Sequence, residues 1–180
     1  MLIDAERSAL LVVDLQTKMV PALATAEQVV ANVVWLIRIA QRIGVPVAGT
    51  EQYPKGLGPL VPEVRKLIPV SAIASKTRFS AVAAECLANL PGHDRAQVVV
   101  VGAEAHVCVL QTALELLEEG KEVYVVADAL GSRRLEDRDV ALTRMRDEGV
   151  RVVTREMVAF EWLGEAATPL FREINKEFLA

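Results

Sequence analysis

Two cysteines and two histidines are all that this 180-residue chain holds of those residue types. Cys86 and Cys108 cannot build a disulfide framework, and no C-x-x-C occurs. Two histidines are too few for most zinc sites, so no metal is expected. Aromatic residues make up only 4% of the chain, so the core must be aliphatic. Charge of one sign is not in excess. The net charge is −4, with both signs interspersed, and no basic stripe points to nucleic acid or an anionic membrane. No apolar run reaches the length of a membrane span. The N-terminal "MLIDAERSALLVVD" has acidic residues where a secretory signal needs basic ones. A cytoplasmic protein is expected. Nucleotide signatures are missing too: "VGAEAH" is not G-x-G-x-x-G, and G-x-x-x-x-G-K-[ST] does not occur. No nucleotide cofactor is expected. G-x-S-x-G and H-E-x-x-H are also absent.

What is present is an alternation of two periods. Apolar runs of strand length recur at Ala9–Val13, Val45–Gly49, Ser71–Ser75, Val98–Val101, Glu122–Ala127 and Arg151–Thr154. They are continuous rather than alternating, as in strands covered on both faces. Between them lie segments of helical period. Ala26–Ile43 places Val29, Val33, Leu36, Ile37 and Ala40 on one stripe. Val107–Glu119 stops at Gly120, Glu136–Glu148 stops at Gly149, and a last helix is expected over Pro169–Phe178. Cys86 falls in "AVAAECLANL", read as an apolar helix. Strand–helix alternation with short links gives parallel strands and right-handed crossovers. The expectation is one α/β domain, residues 1–180, with about six parallel strands. The irregular "TEQYPKGLGPLVPE" after the second strand is either functional or mobile.

In an open parallel sheet the ligand crevice lies beyond the carboxyl ends of the strands. Asp14 and Gln16 follow the first strand. Thr50, Glu51, Gln52 and Tyr53 follow the second, Lys76 to Phe79 the third, and "GAEAHVC" the fourth. Cys108 would open its helix, where free N–H groups and the dipole favour a thiolate. Lys76 is a candidate cation to lower its pKa further, and Asp14 a candidate base. A nucleophile so placed is expected to react below about pH 8.5, the range of a free thiol. The bland readings stand beside these. Free cysteine commonly packs as a small hydrophobe, Asp14 could be a turn residue, and Lys76 a solvated lysine. His106 is two residues from Cys108, off its helix face, which favours a positioning or structural role. His93 lies in a turn.

"LLVVDLQ", "SKTRFSAV" and "VGAEAHVCVLQTAL", in that order and spacing, resemble the isochorismatase-like cysteine hydrolases. "TEQYPKGLGP", "VADALGSRR", "ALTRMRDEGV" and "TREMVAFEWL" are most similar to the isochorismatase-domain-containing subgroup. The resemblance implies a three-layer α/β/α Rossmann-like fold with a six-stranded parallel sheet of order 3-2-1-4-5-6. It implies a catalytic triad of Asp14, Lys76 and Cys108. It also implies a cis peptide at Ala103–Glu104, with the Glu104 and Cys108 amides as oxyanion hole. Gln16, Tyr53 and Phe79 would shape the substrate pocket. Nicotinamidases of this superfamily carry histidines near the second strand; "GTEQYPKG" has none, which again leaves no metal. The expected activity is hydrolysis of a C–N bond in a small amide or ureido compound through a thioester. The alternatives are an isochorismatase-type ether hydrolase and a non-catalytic oligomeric binding protein. A homo-oligomer is expected, with "MVAFEWLG" and the C-terminal helix as candidate contact surfaces.

Overall fold

The computed structural model describes residues 1–180. Six parallel strands form one sheet in the order β3-β2-β1-β4-β5-β6. They are β1 (Ser8–Val13), β2 (Val47–Gln52), β3 (Ile73–Lys76), β4 (Gln97–Ala103), β5 (Glu122–Gly131) and β6 (Arg151–Val153). The order is the one the resemblance implied, and it reverses direction between β1 and β4.

Every residue of β1 and β4 is buried, which is why these strands read as unbroken apolar runs. Successive side chains serve opposite layers. Leu10, Val12, Val99 and Val101 join one core, while Leu11, Val13, Val98 and Val100 join the other. The first core is covered by α1 (Ala26–Ile43) and α6 (Arg155–Leu163), the second by α4 (Leu110–Glu118) and α5 (Leu135–Asp147). The apolar stripe of α1 is buried as its spacing requires, and the helix ends on Gly44 at φ +94°. Helix α6 was not expected, because "REMVAFEWL" buries only Val158, Ala159 and Trp162 and carries little helical periodicity. Its start is set by Thr154, whose side chain accepts the Met157 N–H.

Two other expectations are corrected. β2 begins and ends later than its apolar run, carrying Thr50, Glu51 and Gln52 inside the sheet. The segment around Cys86 is not a helix but a series of turns. Its N–H groups go elsewhere. Those of Val82 and Ala83 donate to Ser80 Oγ, that of Ala83 also to Glu115, and that of Ala81 to Thr112 Oγ1. Side-chain acceptors thus replace the helical ladder. Between β2 and β3 lie two one-turn helices, α2 (Pro54–Leu57) and α3 (Pro62–Arg65). The C-terminus folds as α7 (Pro169–Ile174) and a wider final turn.

Candidate active site

The first step in building the site is a close approach of backbone. Gly102 sits at φ +117°, and a Cβ there would lie 2.1 Å from the Val13 carbonyl oxygen. Only glycine lets β4 run this tightly beside the end of β1. Just past that contact stand Asp14, itself at φ +48°, and the Ala103–Glu104 bond, which is cis.

Asp14 and Lys76, from two strand ends, meet with Nζ 2.7 Å from Oδ2 and both side chains fully buried. Two unlike charges out of water need every remaining valence satisfied. They have it. Thr50 Oγ1 donates to Asp14 Oδ1 at 2.7 Å. The Lys76 ammonium also donates to Gln52 Oε1 at 2.7 Å and to the Phe79 carbonyl at 2.8 Å. Thr50 and Gln52 are therefore part of the site, although neither stood out in the sequence. The one signal was their position just past the second apolar run.

Cys108 lies in a π-type turn, Ala105–Val109, that leads into α4. There the Val109 N–H donates to the Glu104 carbonyl at 3.2 Å, five residues back. Such wide turns are frequent at functional sites. Cys108 is 4% exposed, and the charged groups that act on its thiol are Asp14 and Lys76. The acid, the amine and the sulfur thus share one place.

The expected acidification of that thiol is not found. Burial, and then the Asp14 carboxylate, outweigh Lys76 and push Cys108 from its ordinary 9.0 up to about 12. Its resting state is the protonated thiol near the Asp14 carboxylate. The linkage has a definite sign. Below 9.0 both folded and unfolded chains hold the proton. Between 9.0 and about 12 the unfolded chain releases it while the folded one keeps it, so stability falls as pH rises. Urea melts should show wild type losing stability relative to Cys108→Ala from pH 9 upward. A difference between the two that stays constant with pH would contradict this burial of the thiol.

Other expected site residues fall less centrally. Gln16 is fully buried, but its amide is committed to backbone. It donates to the Gln52 and Gly58 carbonyls and accepts from the Gln52 N–H. It clamps the loop after β2 onto β1. Tyr53 and Phe79 are half exposed at the rim. The Tyr53 ring lies over Gly56, while Phe79 belongs to the turn whose carbonyl caps Lys76. Glu104 accepts from Arg133 through both backbone N–H and Nε, at 3.0 and 3.1 Å. His106 Nδ1 is 2.9 Å from Ser132 Oγ, which anchors it to the end of β5. Cys86 is half-buried, its thiol donating to the Ala81 carbonyl at 3.4 Å, and burial pushes its pKa up. An apolar cavity of about 430 Å³ lies beneath residues 81–93, walled by Ala9, Leu11, Ala48 and Leu90, and includes none of the acid, amine or thiol. No cluster of histidine, cysteine and carboxylate side chains could hold a metal ion. No helix is long and apolar enough to cross a membrane.

Comparison with known proteins gives the family of the chain. Mouse isochorismatase domain-containing protein 2A is 42% identical over 174 residues, covering 95% of this chain and 82% of the relative. A solved structure described as MAR1 ribonuclease from Caenorhabditis elegans superimposes with a TM-score of 0.89 at 36% identity, covering 100% of this chain and 93% of that one. The Escherichia coli YcaC protein, described as an octameric hydrolase of unknown specificity, gives a TM-score of 0.86 at 25% identity and covers 99% and 96%. Residues 8–157 match the isochorismatase domain, a span from the first residue of β1 to the first turn of α6. The chain belongs to the isochorismatase domain family.

Proposed function

We propose that this protein is a cysteine hydrolase that cleaves the C–N bond of a small amide or ureido compound through a thioester. The observation that carries the reading is the meeting of Cys108 with the buried Asp14–Lys76 pair. A thiol held near pKa 12 is not a stored thiolate; it needs a base at the moment of attack. Asp14 takes the proton as the sulfur attacks the carbonyl carbon. Lys76 balances the charge that develops, having no other anionic partner. The Glu104 and Cys108 amides hold the oxyanion, placed where the helical run of residues 105–118 begins. The C–N bond then breaks, and the departing nitrogen receives the proton from Asp14. Water, deprotonated by the same carboxylate, hydrolyses the thioester, and the thiol regains its proton. No metal is used in this scheme.

Incubation with a panel of small amides and ureides, acid quench and intact-mass measurement should reveal an acyl adduct on Cys108. Turnover that proceeds with no adduct, and survives Cys108→Ala, would overturn the covalent scheme. The C. elegans relative is described as a ribonuclease. Release of nucleotides from RNA by wild type and equally by Cys108→Ala would put that reading in place of ours.

We also propose a homo-oligomer, as in the octameric YcaC relative. Met157 and Phe160 on α6 and Leu170 on α7 form an exposed apolar group, with the Phe160 and Phe171 rings 6.3 Å apart. Light scattering should give a mass that is a multiple of 19.6 kDa, and Phe160→Glu should lower it. A monomeric wild type would refute this.

A further inference from the structure

One cavity of this protein takes no part in the proposed reaction. Its floor is Ala9 and Leu11 of β1, Ala48 of β2 and Val98 of β4. Leu116 of α4 forms a wall, and the turns of residues 81–93 form the roof. The acid lies farther along the same strand: Leu11 lines the cavity, Val13 does not, and Asp14 follows. The space exists because its lining is small and its roof is not a helix. Ala9, Ala48, Ala81 and Ala88 offer one methyl group each. The roof is fastened at both ends. At the near end the N–H groups of Ala81 and Ala83 donate to Thr112 and Glu115 of α4. At the far end Gly92 packs on the sheet, where a Cβ would lie 2.6 Å from that of Ala9. Just beyond, the Lys121 ammonium donates to the His93 and Arg95 carbonyls at 2.8 Å.

The cavity is open to the outside rather than a sealed packing void. On its floor Val98 keeps 8% exposure and Ala9 6%, whereas Val99 and Val101, facing the other layer, keep none. Its volume of about 430 Å³ falls within the range of small-molecule sites, about 300–1,000 Å³. A dry apolar cavity of roughly 150 Å³ is enough to admit benzene. Every buried residue of the lining is apolar. Glu85, His93 and Glu119 stand exposed at the rim, and the Lys121 ammonium is committed to its two carbonyls. A peptide segment entering here would bring N–H and C=O groups that the buried side chains cannot pair, which is costly. A hydrocarbon body brings none. We propose that this cavity is a binding site for a small neutral apolar molecule, separate from the crevice, and that the occupant holds the roof closed. The segment it steadies begins beside the turn whose Phe79 carbonyl accepts from the Lys76 ammonium. The occupant therefore acts on the part of the chain that caps the buried amine.

Toluene serves as the probe, with phenol at the same concentration as the polar control. In full-length protein labelled at its Ala, Leu and Val methyl groups, toluene should shift the NMR signals of Ala9, Ala48 and Val98. Those of Val99 and Val101, on the opposite face of the sheet, should stay in place. Ala48→Leu fills the floor, and Ala88→Trp plugs the rim from an exposed position that leaves the core untouched. Either should abolish the shifts, and if Ala48→Leu does not fold, Ala88→Trp decides. Cys86 sits half-buried in the roof and reports its opening. With a dissociation constant of about 1 mM, about 5 mM toluene should slow alkylation of Cys86 by iodoacetamide about sixfold, read by peptide mass spectrometry. No methyl shift in folded wild type overturns the site and shows that the space is closed or filled by another copy of the chain. Shifts that survive Ala88→Trp overturn its location. An equal response to phenol overturns the apolar class of ligand. Shifts without protection of Cys86 overturn the hold on the roof.

Discussion

Cys108→Ala should lower turnover by about 10⁴-fold or more while leaving the fold intact, because in a covalent scheme the nucleophile has no substitute. The side chain lost is small, so its removal falls within the ordinary range for a buried substitution, about 1 kcal/mol. The companion variant separates mechanism from structure. Asp14 is the second-largest cause, after burial, of the raised Cys108 pKa. Asp14→Asn keeps the shape and can still pair with Thr50, but removes that negative charge. Lys76 then acts on the sulfur unopposed. Alkylation of Cys108 by iodoacetamide at pH 8 should become faster, while turnover falls by about 10²- to 10⁴-fold for want of a base. More reactive sulfur and less catalysis is a pair of results that a purely structural Asp14 would not give. If Asp14→Asn lowers both or neither, the assignment of Asp14 as base fails.

Lys76→Met should be the most damaging single change to stability. It leaves the Asp14 carboxylate fully buried, with Thr50 as its remaining side-chain donor. It also frees the Gln52 and Phe79 oxygens that the ammonium holds. Breaking one side of a buried pair costs about 3–5 kcal/mol. In a chain of this size that corresponds to a fall of about 10 °C in the melting temperature. The double variant Lys76→Met/Asp14→Asn removes both charges and should recover part of the loss. Thermal melts of the two variants decide the matter. A loss below about 1 kcal/mol in Lys76→Met would mean that water reaches this pair and that its burial is not as described.

The sheet was legible from the chain because its signal is local. Continuous valine runs with polar breaks can be satisfied only by strands covered on both faces, as the fully buried β1 and β4 show. Helix α1 was legible to both ends, since its stripe and its closing Gly44 are written in consecutive residues. The segment around Cys86 was misread for a complementary reason. Its apolar spacing favours a helix, but Thr112 and Glu115, some 30 residues on, take its N–H groups. No window along the chain contains both parties to that competition. Gln16 and Gln52 show the same limit. Gln16 was expected to shape the pocket and Gln52 was noted only as following the second strand, yet one binds only backbone and the other holds the Lys76 amine.

By itself the sequence determined the class of fold and, through ordered motifs, which acid, amine and thiol to compare. Only the tertiary structure decided the state of the thiol. Proximity to a helix start favours a thiolate, and that much is local. Desolvation and the facing carboxylate favour the thiol, and both come from strands brought in from residues far away in the chain. Electrostatic energy depends on distance through a medium of low polarity, and neither the distance nor the medium is written in the order of the residues.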